Sequence, residues 1–203
     1  MKMKSMICGL FCAACLLTGS ALAIDFSDVP ADEWYTEAVD EMAERGIMSG
    51  VDDGIFAPEG TVDRGTVVTV LWRLAGEKKP VGQPFPDAAG TWYEAASAWC
   101  RDMGIAAGYE DGSFRGGQSV TRQELAVFLC NYARWRGDPL AEAPLERFDD
   151  ADEVAEWAAE SVSHAVGIGI LKGDNLSCIA PQGKATRAAL AVMLQRMLTP
   201  AAG

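Results

Sequence analysis

Three arginines occupy equivalent points of the sequence, each at the start of a predicted amphipathic helix. With the residue that precedes each of them, they are Asp63–Arg64, Thr121–Arg122 and Thr186–Arg187. Asp and Thr are good helix N-caps. A cation just after the cap is mildly unfavourable because the positive end of the helix dipole lies there. A guanidinium beside the N–H groups that a helix start leaves free is, however, well suited to hold a carboxylate. We therefore predict that these arginines bind an anionic group.

The arginines belong to a unit that occurs three times. Each lies 30 residues after a tryptophan, and glycines lie 12 and 16 residues after the same tryptophan. The three tryptophans are Trp34, Trp92 and Trp157, and each follows a Phe-x-Asp motif at Phe26–Asp28, Phe85–Asp87 or Phe148–Asp150. Recurrence in phase over a unit of this size predicts a repeat array.

Each unit is predicted to fold as helix, loop and helix. The first helix begins near the tryptophan and ends at a glycine, which is Gly46, Gly104 or Gly169. A turn-rich loop follows, and the second helix begins at the capping residue before the arginine. One pair of short helices cannot bury its apolar face alone, so we expect the three pairs to pack together.

The chain begins with the pattern of a secretory signal peptide. Residues 1–23 contain two lysines, a short apolar run and a terminal Ala-Leu-Ala, which predicts cleavage between Ala23 and Ile24. Lipidation at Cys15 is the alternative. The net charge is −12 for the whole chain and −14 after residue 23. So acidic a protein is not expected to bind nucleic acid or anionic lipid, and no later stretch is apolar enough to span a membrane.

Cysteine and histidine usage does not favour a metal centre or cofactor. There is one histidine, His164, and after residue 23 there is no Cys-x-x-Cys motif, so no zinc site is expected. The Asp-Gly turns lack the acids of a calcium loop. Cys100 and Cys130 lie at apolar helical positions and act either as small hydrophobic residues or as a disulfide pair.

The repeated unit resembles the S-layer homology (SLH) repeat of bacterial cell-surface proteins. The residues that carry the resemblance are "FSDV…WY…GIMSG…DDGIFAPEGTVDRGT", "FPDA…WY…GIAAGYEDGSFRGGQSVTRQE" and "FDDA…W…GILKGD…IAPQGKATRAA". It covers residues 26–198. The second copy, with "TRQE", is nearest the usual Thr-Arg-Ala-Glu, and "DRGT" and "TRAA" depart from it.

The resemblance implies an all-α fold with repeats at 26–76, 85–137 and 148–198, arranged with pseudo-threefold symmetry around a central helical bundle. Grooves between SLH repeats bind cell-wall polysaccharide, often an acidic polymer that carries ketal-linked pyruvate. The implied protein is a secreted, non-catalytic module at the cell wall. Its candidate ligand-binding residues are Arg64, Arg122, Arg187, Trp34, Trp92, Trp157, Asp28, Asp87 and Asp150.

Several alternatives stay open on the sequence. The arginines could form internal ion pairs with the Phe-x-Asp aspartates, and the tryptophans could fill the core instead of stacking on sugar rings. The array could also be a scaffold or S-layer component with degenerate repeats, or a tether to peptidoglycan. A protein partner is unknown. If an acidic polymer is the ligand, the few cations must be concentrated in the grooves.

Overall fold

The computed structural model describes residues 26–173 and 177–199, and within them the fold is helical. Six α-helices occur as three pairs: α1 (Thr36–Glu44) and α2 (Arg64–Leu74), α3 (Glu94–Asp102) and α4 (Arg122–Arg136), and α5 (Glu156–Gly167) and α6 (Arg187–Leu198). A short 3₁₀ helix, Ala151–Glu153, precedes α5. The predicted signal peptide, its cleavage site and Cys15 lie outside the described residues. No helix within the described ranges has the length and apolar content needed to cross a bilayer.

The second helix of each pair begins where the sequence predicts. The side chains of Asp63, Thr121 and Thr186 each accept a hydrogen bond from the N–H three residues on. Thr121 and Glu124 form the reciprocal capping box. The predicted helix-ending glycines follow α1, α3 and α5 with positive φ angles. Because L residues other than glycine rarely adopt this conformation, the glycines end these helices at low cost.

The loop inside each repeat is held by the Phe-x-Asp aspartate. Asp28 accepts hydrogen bonds from the N–H groups of Phe56 and Ala57, at 2.8 and 2.7 Å. Asp87 and Asp150 accept the equivalent pairs of bonds in the second and third repeats. Each aspartate therefore fixes the loop that leads to its own second helix.

The three pairs of helices close into a ring. The second helix of each repeat packs on the first helix of another, as α2 with α3, α4 with α5, and α6 with α1, and α4 also contacts α2 and α6. Isolated β-bridges join the segments before the second helices, at Thr61–Thr186, Asp63–Ser119 and Thr121–Lys184. Every repeat thus contacts both of the others.

The core contains one residue from each equivalent loop, Phe56, Phe114 and Ile179, all fully buried. Cys100 and Cys130 are also fully buried and are thiols. Their Sγ atoms contact the carbonyl groups of Val68 and Ser161. Burial raises the pKa of both thiols, that of Cys130 to about 12. The small-hydrophobe alternative is therefore correct for these cysteines, and the disulfide alternative is wrong.

Candidate functional site

Each motif arginine extends from its own helix into the loop of another repeat. Arg64 Nε donates to the Phe114 carbonyl at 2.9 Å, and its Nη2 donates to the Ala107 carbonyl at 2.8 Å. Arg122 Nε donates to the Ile179 carbonyl at 2.7 Å. The first repeat thus reaches the second, and the second reaches the third.

Arg187 completes this ring of contacts. Its Nε donates to the Phe56 carbonyl at 2.7 Å, and its Nη2 donates to the Ser49 carbonyl at 2.5 Å. The third repeat thereby reaches back across 131 residues of chain to the first. The repeated arginine is therefore an inter-repeat contact, whatever else it binds.

The helix starts do not offer free N–H groups, so that part of the sequence-based expectation is wrong. The backbone N–H groups of Arg64, Arg122 and Arg187 donate to the carbonyls of Gln118, Gly183 and Gly60, respectively. In each helix the next N–H also donates to a loop carbonyl of another repeat. These helix-start N–H groups are therefore not available to hold an anion.

The aspartates hold the same loops from the other side. In the first repeat, Asp28 binds the N–H of Phe56 while Arg187 binds its carbonyl. Burial acts to raise the pKa of Asp28, but the backbone donors and nearby Arg187 bring the pKa below its ordinary value. Among the described contacts, the pairs Arg64–Asp87 and Arg187–Asp28 form no ion pair. The internal ion-pair alternative is therefore wrong for these two arginines.

The three motif tryptophans lie on the surface. Trp34, Trp92 and Trp157 are 63, 65 and 62% exposed, respectively. The first two lie edge-on to the ring of the following tyrosine, with centroids 5.3 and 5.2 Å apart. The core alternative for these residues is wrong, and their faces are accessible to a ligand.

Arginine and tryptophan meet in three grooves, each built from all three repeats and named here after its tryptophan. In the Trp157 groove, Arg64 lies against the second-repeat loop and α4, around a cavity of about 340 Å³. In the Trp34 groove, Arg122 lies against the third-repeat loop and α6, around about 570 Å³. In the Trp92 groove, Arg187 lies against the first-repeat loop and α2, around about 160 Å³.

A second set of groove residues was missed by sequence reasoning. Nine positions after the motif arginine, the second helices carry Arg73, Asn131 and Arg196, and all three residues line their grooves. Each donates to the carbonyl of the isoleucine that follows the helix-ending glycine, at 3.3 to 3.4 Å. The sequence feature that could have revealed them is a polar residue at the same position of all three second helices, on a face that is otherwise mostly apolar.

The second repeated glycine, 16 residues after the tryptophan, also lines each groove. A Cβ built at Gly108 would lie 2.6 Å from Phe85 Cε1 and 2.8 Å from the Ser113 carbonyl oxygen. A Cβ at Gly50 or Gly173 would lie 3.0 or 2.7 Å from Cε1 of the phenylalanine of its own Phe-x-Asp motif. Any side chain here would displace the loop that forms the groove wall.

Each groove contains at least one arginine, although Glu124 also lines the Trp157 groove. Burial lowers the pKa of the Arg64, Arg187 and Arg196 guanidinium groups, but arginine ionises so far above neutrality that they stay charged. The outer face of the first repeat is acidic instead. Its acidic residues, which surround a shallow depression beside α1, are Asp32, Glu33, Glu37, Asp40, Glu41 and Glu44.

Comparison with known families identifies this architecture. Residues 25–68, 84–126 and 147–191 match the S-layer homology domain. The chain therefore belongs to the S-layer homology domain family, as the resemblance of its repeats predicts.

Relatives of the chain are surface-layer proteins and large carbohydrate-active enzymes. It is 28% identical over 180 residues to Exoglucanase XynX of Acetivibrio thermocellus, and the aligned region covers 87% of this chain and 16% of the relative. It is 26% identical over 200 residues to an S-layer protein of Bacillus thuringiensis subsp. finitimus, covering 95% and 24%. With S-layer protein sap of Bacillus anthracis it shares 27% identity over 177 residues, covering 84% and 21%. The chain thus spans less than a quarter of the length of these relatives, and the shared part is the SLH region.

Proposed function

We propose that the protein is a non-catalytic module that attaches to the outside of the cell by binding an anionic cell-wall polysaccharide in grooves between its repeats. The repeats would form a pseudo-threefold array around a central helical bundle. One observation carries the proposal: three equivalent grooves each combine an arginine, a loop and an exposed tryptophan from different repeats.

The exposure of the tryptophans supports binding of a sugar. Leaving a tryptophan more than 60% exposed at three equivalent positions gives up burial of a large apolar surface. The apolar C–H face of a pyranose ring would cover the indole, while the sugar hydroxyl groups stay in water. A ligand that bridges neighbouring subsites would gain further from multivalency.

The arginines support an acidic polymer. Guanidinium groups bind carboxylates through directed, charge-assisted hydrogen bonds. Arg187 uses Nε and one Nη in holding the first-repeat loop, and a guanidinium has five N–H donors. The same side chain can thus hold the loop and bind an anion.

A second candidate is a scaffold that does not bind glycan. It is favoured by Arg64, which is only 7% exposed and donates to two carbonyls of the second repeat. If all three arginines served only to join repeats, the array would be a rigid structural element of a surface layer.

Binding to isolated cell walls separates these proposals. The purified chain is incubated with walls before and after chemical removal of the non-peptidoglycan polymer, and the bound fraction is measured by sedimentation. The matched control is a variant with all three motif tryptophans changed to alanine. We expect the protein to bind untreated walls. Binding should be lost when the polymer is removed from the walls or when the three tryptophans are replaced. Binding that survives polymer removal indicates a peptidoglycan tether, and no binding to either preparation indicates the scaffold.

A further inference from the structure

The two linkers between repeats are fastened to the first helix of the following repeat, but by different side chains. The first linker, residues 77–84, is held by Asp102, the last residue of α3. Its carboxylate accepts hydrogen bonds from the N–H groups of Val81 and Gly82, both at 2.8 Å. These bonds lower the pKa of Asp102, so the carboxylate stays ionised throughout the neutral range. The first linker is therefore fastened in the same way at pH 5.5 and at pH 8.

The second linker, residues 138–147, is fastened to α5 by another set of contacts. In this repeat Gly167 takes the place of the aspartate, ten residues after the motif tryptophan. The linker passes so close to it that a Cβ there would overlap the Ala141 carbonyl. The Ser163 hydroxyl donates to the Ala143 carbonyl at 2.8 Å, and the Ala143 N–H donates to the Ser163 carbonyl at 3.3 Å. The second linker thus lies directly on α5.

The histidine of the chain, His164, lies beside these contacts and between two glutamates. Its side chain is only 12% exposed. Its Nε2 lies 3.7 Å from Glu142 Oε1 of the linker, and its Nδ1 lies 3.9 Å from Glu160 Oε1, one turn earlier in α5. Both distances are too long for a hydrogen bond, and the buried Nδ1 has no hydrogen-bond partner among the described residues. A polar contact between the linker and α5 is therefore within reach but is not made.

The charged and titratable groups that face His164 come from three elements. Glu142 comes from the linker and Glu160 from α5 itself. From α4, Arg134 bonds to the same oxygen of Glu160 at 3.3 Å. The thiol of Cys130, also on α4, contacts the α5 backbone and is uncharged, because burial raises its pKa to about 12. Because Arg134 already bonds to Glu160, the linker carboxylate of Glu142 is the main partner left for a charged histidine.

We propose that His164 is a pH-sensitive clasp, which closes onto Glu142 when the imidazole is protonated and so fastens the second linker to α5. Histidine is the side chain whose charge changes between pH 5 and 8. Protonation makes both ring nitrogens N–H donors, and a small rotation of the exposed Glu142 side chain closes the gap of 3.7 Å. This bond exists only with the charged ring, so the linker is held more tightly as the pH falls. The clasp does not depend on a ligand in the grooves.

Hydrogen exchange of the full chain, followed by NMR at pH 8, 7, 6 and 5.5, tests the clasp. The Ala143 N–H reports on the second linker, and the N–H groups of Val81 and Gly82 report on the first. After correction for intrinsic exchange rates, we expect the protection of Ala143 to rise about two- to fivefold from pH 8 to 5.5, as for a surface ion pair. Val81 and Gly82 should keep their protection, because Asp102 stays ionised. Since the chain has one histidine, its ring resonance reports protonation in the same samples.

Three variants assign the response to the clasp. His164→Gln and Glu142→Gln each remove one side of it and should abolish the rise at Ala143. Glu146→Gln removes an equal charge from the same linker, outside the described contacts of His164, and should keep the rise. Unchanged protection of the first linker in each variant shows that its fold is retained.

Four results would overturn the proposal. They are a ring that stays neutral down to pH 5.5, protection of Ala143 that does not rise while the ring becomes protonated, a rise that persists in His164→Gln or Glu142→Gln, and a rise that is lost in Glu146→Gln. None of these results involves binding to cell walls, so the failure of the clasp and the failure of the proposed function are distinguishable.

Discussion

The Trp92 and Trp157 grooves are made from equivalent positions of one repeated unit, yet their arginines are in different surroundings. Arg64, in the Trp157 groove, lies 4.8 to 5.2 Å from the ring centroids of Tyr109, Phe114 and Phe128. Arg187, in the Trp92 groove, is more exposed and lies 4.4 Å from the centroid of Phe56. The shared geometry joins the repeats, and the surrounding residues decide whether the guanidinium also remains accessible.

The two grooves also differ in charge, because of the residue that lies two positions after the motif arginine in the helix lining each groove. It is Glu124 in the Trp157 groove and Thr66 in the Trp92 groove. Glu124 is held by the capping box, where its carboxylate accepts from the N–H of Thr121. The motif nearest the family pattern thus stabilises its helix and places a negative charge in the Trp157 groove, whereas its arginine, Arg122, lies in the Trp34 groove.

The largest expected effect is on stability, and it differs between the two arginines. We predict that Arg64→Ala lowers the free energy of unfolding by about 3 kcal/mol, because two hydrogen bonds from a buried charged group are lost. Arg187→Ala should cost only roughly 1–2 kcal/mol, because its guanidinium is more exposed and water can more readily take its place. Urea unfolding followed by circular dichroism measures both values.

Arg64→Lys is the matched control for charge. Lysine keeps the positive charge but lacks the planar fork that reaches two carbonyls, so most of the loss should remain. Equal losses for Arg64→Ala and Arg187→Ala would contradict the division into a buried and an accessible arginine.

The next effect is on ligand binding, and here the larger loss is expected in the Trp92 groove instead of the Trp157 groove. Trp92→Ala should weaken binding to isolated cell walls by up to about tenfold, because an exposed aromatic face is lost from the groove that contains the more accessible Arg187. Trp157→Ala should leave that affinity within about twofold. The two tryptophans are 65 and 62% exposed, so the variants are well matched. If Trp157→Ala weakens wall binding more than Trp92→Ala does, the accessibility of the groove arginine is not what determines binding.

The local structure of the repeats follows from the sequence because its causes are local. Side-chain caps within three residues start α2, α4 and α6, and glycines with positive φ follow α1, α3 and α5. The recurrence of these signals in phase predicts three helix pairs and their family. The start of α1 is less well predicted, because Trp34 has the spacing of a core residue but precedes the helix and is exposed.

The contacts of the groove residues could not be predicted in the same way. The bond from Arg187 to the Phe56 carbonyl joins residues 131 positions apart, and its existence depends on how the ring closes. Arg73 and Thr69 look like polar interruptions of an apolar helix face until the neighbouring loop is placed beside them. Sequence therefore located the arginines and tryptophans but not the residues that distinguish one groove from another.

A smaller effect should appear as a pH dependence of stability. Despite burial, hydrogen bonds from backbone N–H groups lower the pKa of both Asp28 and Asp87; nearby Arg187 lowers the first further, whereas Asp111 opposes the second. A carboxylate whose pKa is lowered in the folded state stabilises the protein at pH values above the ordinary aspartate pKa of about 4. This stabilisation is lost as the pH falls through the pKa of the folded state. We expect Asp28→Asn to cost about 1–2 kcal/mol at pH 7 and progressively less below pH 4.

Urea unfolding at pH 7, 4 and 3 measures this dependence, with Asp87→Asn as the matched variant from the second repeat. Because Arg187 acts to lower the pKa of Asp28 whereas Asp111 acts to raise that of Asp87, the cost of Asp87→Asn should be the smaller of the two. A cost that does not decrease towards pH 3 would show that the carboxylate charge is not what stabilises the first-repeat loop.

The smallest effect has the opposite sign and concerns the buried hydroxyl group of Thr69 on α2. The buried Thr69 hydroxyl has no partner, so Thr69→Val should raise the free energy of unfolding by about 0.5–1 kcal/mol. Thr36→Val is the control, since Thr36 Oγ1 donates to the Pro30 carbonyl at 2.6 Å and its loss should lower stability by about 1 kcal/mol. Thermal melts of both variants provide the measurement. A stabilised Thr69→Val would show that the buried hydroxyl is a cost to the fold, whereas a destabilised one would show that the hydroxyl group contributes to packing or bonding.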